Sequence, residues 1–399
     1  MWFLALLTLG IIIAGSSLSH WATMPGFSAQ SGPPVDWKQK LPDLVSSAPV
    51  LGKNGLIYVT TRSGPVYALD HSGTIQWSYR PEYSPASSAL MSDKDGNLYF
   101  SMVAKVFSLT ANGEKRWEAD CPGDVFRMSE HGALGHGILY TTCGENLSAF
   151  NTANGQEMWR VAVGNNDIKA VVMKDGTLLI ERGWSMSAFD SMGNSLWNFP
   201  PPDYVAPAPR KGLISDQSFF NYPAAIGKDE TLYLGSNDSE FSAFSPDGTL
   251  KWTLDVGYTG PMDSLRFASS PVIAADDTVI AVSNKAVAYA FTPQGTLLWK
   301  TRLGDPIRSV DQPSPVVGKD GTIYAFADHG LIGLTPEGKQ IFNLRLSDDA
   351  TVPPTLAPDG TLYVATNDGM LYALKTGSKG LAHSSWPKYQ GDLANSGRF

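Results

Sequence analysis

The sequence predicts an all-β chain: one eight-bladed β-propeller of four-stranded antiparallel blades, its ring closed by an N-terminal strand in the last blade. Three observations carry this expectation. A phrase of the Asp-Gly-x-Leu-Tyr type returns along the chain, as "KDGNLYF" from Lys94, "KDGTLLI" from Lys174, "KDETLYL" from Lys228, "KDGTIYA" from Lys319 and "DGTLYVA" from Asp359. A tryptophan closes each unit at Trp77, Trp117, Trp159, Trp197, Trp252 and Trp299, with Phe342 in the seventh place, at spacings of 38 to 55 residues. A four-stranded unit of about 40 residues is a WD40-like propeller period. The third observation is a shortage: second and third strands occur eight times, but the last unit ends at "LYALKTG" with no fourth strand after it.

Each unit reads as the same four elements. In the first, "SSAPVLG" (46–52), "LIYVTT" (56–61), "VYALD" (66–70) and "GTIQW" (73–77) are short apolar runs separated by Gly, Asn and Asp turns. That spacing reads as antiparallel hairpins. No amphipathic helix-length segment separates them, so a βαβ pattern is excluded. The missing fourth strand is found near the other end, where "VDWKQKLPD" (35–43) resembles "TLLWKTRLGD" (296–305). Trp37 then completes blade eight and leaves no free sheet edge.

Composition agrees and narrows the function. Gly 39 and Pro 27 supply many turns, and Trp 11 with Tyr 15 favours strands. The net charge of -8, with no long basic run, argues against a nucleic-acid partner. Residues 1–35 carry no Asp, Glu, Lys or Arg, and Trp2 to Ala14 is almost unbroken apolar sequence. This is short for a membrane span of about 20 residues and fits a secretory leader. Residues 1–19 are therefore expected to be a signal peptide or, uncleaved, an N-terminal anchor and the only membrane contact. Residues 20–34 read as a linker, 35–383 as the propeller and 384–399 as a tail packing on it. The expected location is periplasmic or extracellular.

At this stage a family is visible. The units resemble the PQQ-like (quinoprotein-alcohol-dehydrogenase-like) propeller repeat, with "SAFNTANGQEMW" (148–159) the nearest copy of its pattern. The tail "WPKYQGDLANSGRF" (386–399) is similar to the "WPxxxGD" segment of such proteins. The resemblance spans roughly 35–399. It implies the fold strongly, whereas the family contains dehydrogenases, assembly scaffolds and sensors. The segment "DPIRSVDQPSPVV" (305–317) resembles a loop of the non-enzymatic BamB-like branch that helps contact a partner, which brings only Arg308 and its neighbours into view.

The strand order gives the ring two unequal faces. Short regular turns occupy one. The other carries the connections from each fourth strand to the next first strand, and there the length varies: 31 residues from Trp197 to Lys228 against 15 from Trp159 to Lys174. The insertions 200–222 and 258–267 are candidate partner-binding loops, through Tyr204, Arg210, Phe219, Phe220, Tyr222 and Tyr258, because long loops on rigid scaffolds carry function and aromatics anchor interfaces. A tolerated surface insertion is the plainer alternative. The same connections repeat Asp-x-x-Arg at Arg127, Arg266 and Arg308, with Lys169 near the equivalent place. These four cations either converge on the channel mouth, able to hold a carboxylate or phosphate, or pair locally with their own Asp.

Few groups suggest chemistry. Cys121 and Cys143 fall on the variable face of adjacent strands, so a disulfide or two buried thiols both fit an exported chain. No cysteine–histidine pairing has zinc spacing. Asp276-Asp277 and Asp348-Asp349 read as turn caps. "SDKDGNLY" (92–99) starts like a calcium loop but lacks its closing Glu. No catalytic residue and no metal site is expected. The resemblance also implies PQQ with calcium as an alternative cofactor, but the cysteines are 22 residues apart rather than adjacent. The leading expectation is a monomeric, cofactor-free exported scaffold whose variable face binds a protein partner in the cell envelope or an extracytoplasmic polymer. The alternative is a PQQ-dependent oxidoreductase or a small-anion sensor using the channel mouth.

Overall fold

In the first blade the strands Val50–Leu51, Ile57–Thr60, Val66–Leu69 and Ile75–Tyr79 lie side by side in chain order, from the ring centre outwards. This comes from a computed structural model describing residues 32–399 except 83–89, 103, 123–131, 165–167, 183–184, 200–221, 237–238, 258–264 and 307–312. Eight such antiparallel sheets form the ring. Seven are simple meanders. In the eighth, Thr355–Leu356, Thr361–Ala365 and Met370–Lys375 are completed by Val35–Lys40, with Trp37 opposite Ala373 and Lys40 opposite Met370. The first and last strands of the chain thus share one sheet, as the strand count required. Among the described residues no helix is long and apolar enough to cross a membrane.

The burial of each strand follows from its place in the blade. Second and third strands lie between neighbouring sheets, so both faces need apolar side chains: Leu98–Met102 and Ile323–Ala327 are buried at every position. Outer strands have one solvated face and alternate, as in Leu250–Asp255. The core is a ring of inter-blade layers rather than one centre. One face of blade 8 gives Tyr363, Leu371 and Ala373 to a cluster with Ile57, Val59 and Leu69 of blade 1. Its other face gives Leu362, Tyr372 and Leu374 to a cluster with Tyr324, Phe326 and Leu331 of blade 7.

The recurrent tryptophans lock blade to blade. Trp37, Trp77, Trp117, Trp159, Trp197, Trp252 and Trp299 each lie on a turn glycine of the following blade, where a β-carbon would come within 2.5–2.8 Å of the ring. Each indole Nε1 also donates to a carbonyl two or three residues before that glycine, at 2.7–3.2 Å. The tyrosine of the repeated phrase packs behind the indole, as in Tyr58–Trp77 at 5.7 Å and Tyr363–Trp37 at 6.0 Å. Phe342 breaks the series for a topological reason. The blade after it is the closing blade, which has no hairpin between its third and outer strands, so no turn carbonyl is there for an indole to bond.

Residues 381–399 turn into the ring centre. Inner strands leave an edge of N–H groups facing the channel, and buried N–H groups need acceptors. The tail supplies them. Carbonyls of Trp386, Pro387, Leu393, Ala394, Ser396 and Gly397 accept from Ile273, Val317, Leu51, Ser92, Leu134 and Val172 at 2.6–3.0 Å. These donors belong to blades 6, 7, 1, 2, 3 and 4, and lie at or beside the ends of their inner strands. Trp386 is fully buried in the largest apolar cluster, which Phe399 flanks.

Candidate functional site

The two faces differ in what fills them. On the face of the short turns, a funnel of ≈ 1260 Å³ is walled by Lys53, His71, Asp95 and His136 and floored by tail residues including His383 and Arg398. The tail is held in shape by Lys388, which is 0% exposed. Its ammonium donates to the carbonyls of Tyr389 (3.1 Å) and Asp392 (3.0 Å) and to Asn395 Oδ1. Asn395 in turn donates to Ala48 O of blade 1 at 2.9 Å. Burial pulls Lys388 down to about 7, against the opposing pull of Asp392. Gln390 lies beside it, also 0% exposed.

The opposite face carries the connections between blades. Arg127, Arg308, Tyr204, Arg210, Phe219, Phe220 and Tyr258 lie outside the described residues. Tyr222 is half-buried where the chain enters blade 5. Arg266 is also half-buried, its backbone N–H donating to Asn284 Oδ1 at 3.0 Å. The next residue anchors it: Phe267, 1% exposed, packs on Phe241 at 5.0 Å and Tyr289 at 5.6 Å.

Lys169 departs from the sequence reading of a loop cation at the channel mouth. It lies in the inner strand Ile168–Val172 of blade 4, 2% exposed, with Glu181 as its cross-strand partner. A basic group at that depth needs a polar partner at hand, and the Glu181 carboxyl lies opposite it. Glu181 is 1% exposed, and its Oε1 accepts from the Ala224 N–H at 2.8 Å. It therefore pins the point where the 200–221 connection re-enters blade 5. Burial pushes the Glu181 carboxyl up to about 8, while the Ala224 N–H and Lys169 pull it down. Sequence reasoning missed Glu181 because it ends an apolar run, "TLLIE". The available signal was a lone base in one buried strand and an acid at the end of an apolar run in the next.

Cys121 and Cys143 are joined, with Cα atoms 4.9 Å apart and both sulfurs buried. Cys121 follows the outer strand Lys115–Asp120 of blade 2, and Cys143 ends the second strand Ile138–Cys143 of blade 3. The bridge staples neighbouring blades on the variable face, and closing a loop of 22 residues stabilises the fold by about 3 kcal/mol. It does not supply the adjacent-cysteine cover that the quinoprotein resemblance would bring. Asp348 and Asp349, read as turn caps, do cap: Asp348 Oδ1 accepts from Asp349 N at 2.8 Å and Asp349 Oδ1 from His329 N at 2.9 Å. They also face the His329 imidazole.

Comparison with known proteins agrees with this architecture. The family model described as outer membrane protein assembly factor BamB matches residues 26–124, 101–216 and 144–379. Among solved structures, the crystal structure of BamB from Moraxella catarrhalis is similar at 18% identity, with TM-score 0.65, over 86% of this chain and 100% of that one. The computationally designed Ika8 protein is similar at 12% identity, with TM-score 0.64, over 85% of this chain and 98% of that one. At these identities the structural likenesses speak for the fold alone. No curated protein matches the sequence. With matches running from residue 26 to 379, the chain belongs to the PQQ-like propeller family described as outer membrane protein assembly factor BamB.

Proposed function

We propose that the chain is an exported, non-enzymatic scaffold that holds a protein partner in the cell envelope through the face carrying the connections between blades. The observation that carries this reading is the inequality of the two faces. One end of the channel is filled by the chain's own tail, bonded to six inner strands. The other face carries the connections between blades, anchored by Cys121–Cys143 between blades 2 and 3 and by Glu181 on Ala224 at the entry to blade 5. The family description names an outer-membrane assembly factor, which is consistent with a protein partner in that compartment. The apolar leader supports export to the periplasm, with the first 19 residues as leader or anchor. The scaffold needs no cofactor and works as a monomer. Burial of Lys169 against Glu181 weakens the rival reading of an anion site at the channel mouth.

The test is site-specific photocrosslinking in cells. A crosslinking amino acid at Tyr222 or Arg266 should give discrete envelope-protein adducts, and one at His71 on the funnel face should not. Deleting 200–222 should abolish the adduct from Arg266. Adducts confined to His71, or retained in full after the deletion, would show that the wrong face has been chosen.

A further inference from the structure

We infer that His329, Asp348 and Asp349 form a divalent transition-metal site of the Zn2+ type, tying blade 7 to blade 8. The residues come from two segments. His329 lies in the hairpin between Ile323–Ala327 and Gly330–Leu334, and the two aspartates lie in the connection from blade 7 to blade 8. One imidazole nitrogen and two carboxylate oxygens lie within 4.8 Å of one another. His329 Nδ1 is 3.3 Å from Asp348 Oδ1 and 3.3 Å from Asp349 Oδ1. Bonds of 2.0–2.1 Å at a tetrahedral angle place neighbouring ligand atoms roughly 3.3 Å apart, so these separations already fit a common cation.

The state of the imidazole is an independent observation. Nδ1 is hidden from solvent and makes no hydrogen bond. A buried nitrogen facing two carboxylate oxygens without hydrogen-bond geometry is costly unless a cation lies between them. Both carboxylates are also aimed in advance. Backbone N–H groups of Asp349 and His329 hold the two Oδ1 atoms, as outer hydrogen bonds orient metal ligands. The Asp349 carbonyl accepts from Asn367 N at 2.8 Å, which links the site to the second hairpin of blade 8. Two carboxylates balance a divalent charge. One nitrogen with two oxygens favours Zn2+ over Ca2+, and three protein ligands leave a fourth position for water.

Full-length protein stripped with chelator and titrated calorimetrically with Zn2+ should bind one ion per chain. Zn2+ should also raise its melting temperature. His329→Gln and Asp348→Asn should each weaken binding at least tenfold and remove the thermal shift. Asp348 is the more exposed carboxylate, with 34% side-chain exposure against 8% for Asp349, so its variant keeps the test valid if the His329 variant misfolds. Absence of saturable binding, binding unchanged in a folded variant, or displacement of Zn2+ by equal Ca2+ would each overturn the assignment.

Discussion

The indole of Trp77 lies on Gly113 of the next blade, so close that a β-carbon on Gly113 would come within 2.7 Å of the ring. The glycine is required twice over. Its φ is +83°, a left-handed conformation that side chains resist, and the ring occupies the space a side chain would need. Repeated seven times, this contact sets the spacing between blades.

Gly113→Ala should therefore cost more than a left-handed turn alone explains. Gly55 provides the control, with φ +80° and nothing within 4 Å of its hypothetical β-carbon. Gly55→Ala should cost about 1 kcal/mol, whereas Gly113→Ala should cost roughly 3 kcal/mol because the indole must move. Urea unfolding of both full-length variants measures the difference. Equal losses would mean that the indole contact contributes nothing.

Most of this ring was legible in the sequence because propeller rules are local and repeated. Asp-Gly turns, strands two and three, and the closing tryptophan recur in phase, and the strand shortage located Val35–Lys40. Phe342 was visible as an exception, but its cause needs the closed ring, since only there is the following hairpin missing. Lys169 was misplaced because a charge beside "NND" reads as a loop residue; its burial depends on Glu181, which the chain supplies only after another hairpin. The tail "WPKYQGDLANSGRF" was legible as a packed segment. Its path was not, because its hydrogen bonds run to six blades and no local periodicity encodes them. The His329 site joins two segments by a contact that exists only between blades, so the sequence showed its aspartates as ordinary turn caps.

Lys388 should be the residue that keeps the tail folded. Lys388→Met fills similar space but leaves the carbonyls of Tyr389 and Asp392 and the Asn395 amide oxygen without their donor. Unpaired buried acceptors make the expected loss roughly 3 kcal/mol at neutral pH. The ammonium titrates near 7 when folded and at the ordinary 10.5 when unfolded, so the native state binds fewer protons between those values. Wild-type stability should gain from this residue as pH rises from 7 towards 10, and the variant should lack that gain. Melting temperatures at pH 7 and pH 9 check both parts. A variant equal to wild type at both would remove Lys388 from the account.

Glu181 has the opposite sign. Its carboxyl titrates at about 8 in the fold against an ordinary 4.5, so the native state keeps a proton that the unfolded chain has lost between those values. Its stabilising contribution is complete below 4.5 and declines as pH rises towards 8. Glu181→Gln keeps an oxygen for the Ala224 N–H and cannot ionise. The variant should match wild type near pH 5 and melt above it at pH 8, while the Lys388 contribution cancels because both proteins carry it. A wild-type-minus-variant difference that stays constant from pH 5 to pH 8 would show that Glu181 is ionised throughout. The Lys169 ammonium, its cross-strand partner, would then be holding a buried carboxylate in a full ion pair beneath the face that carries the connections between blades.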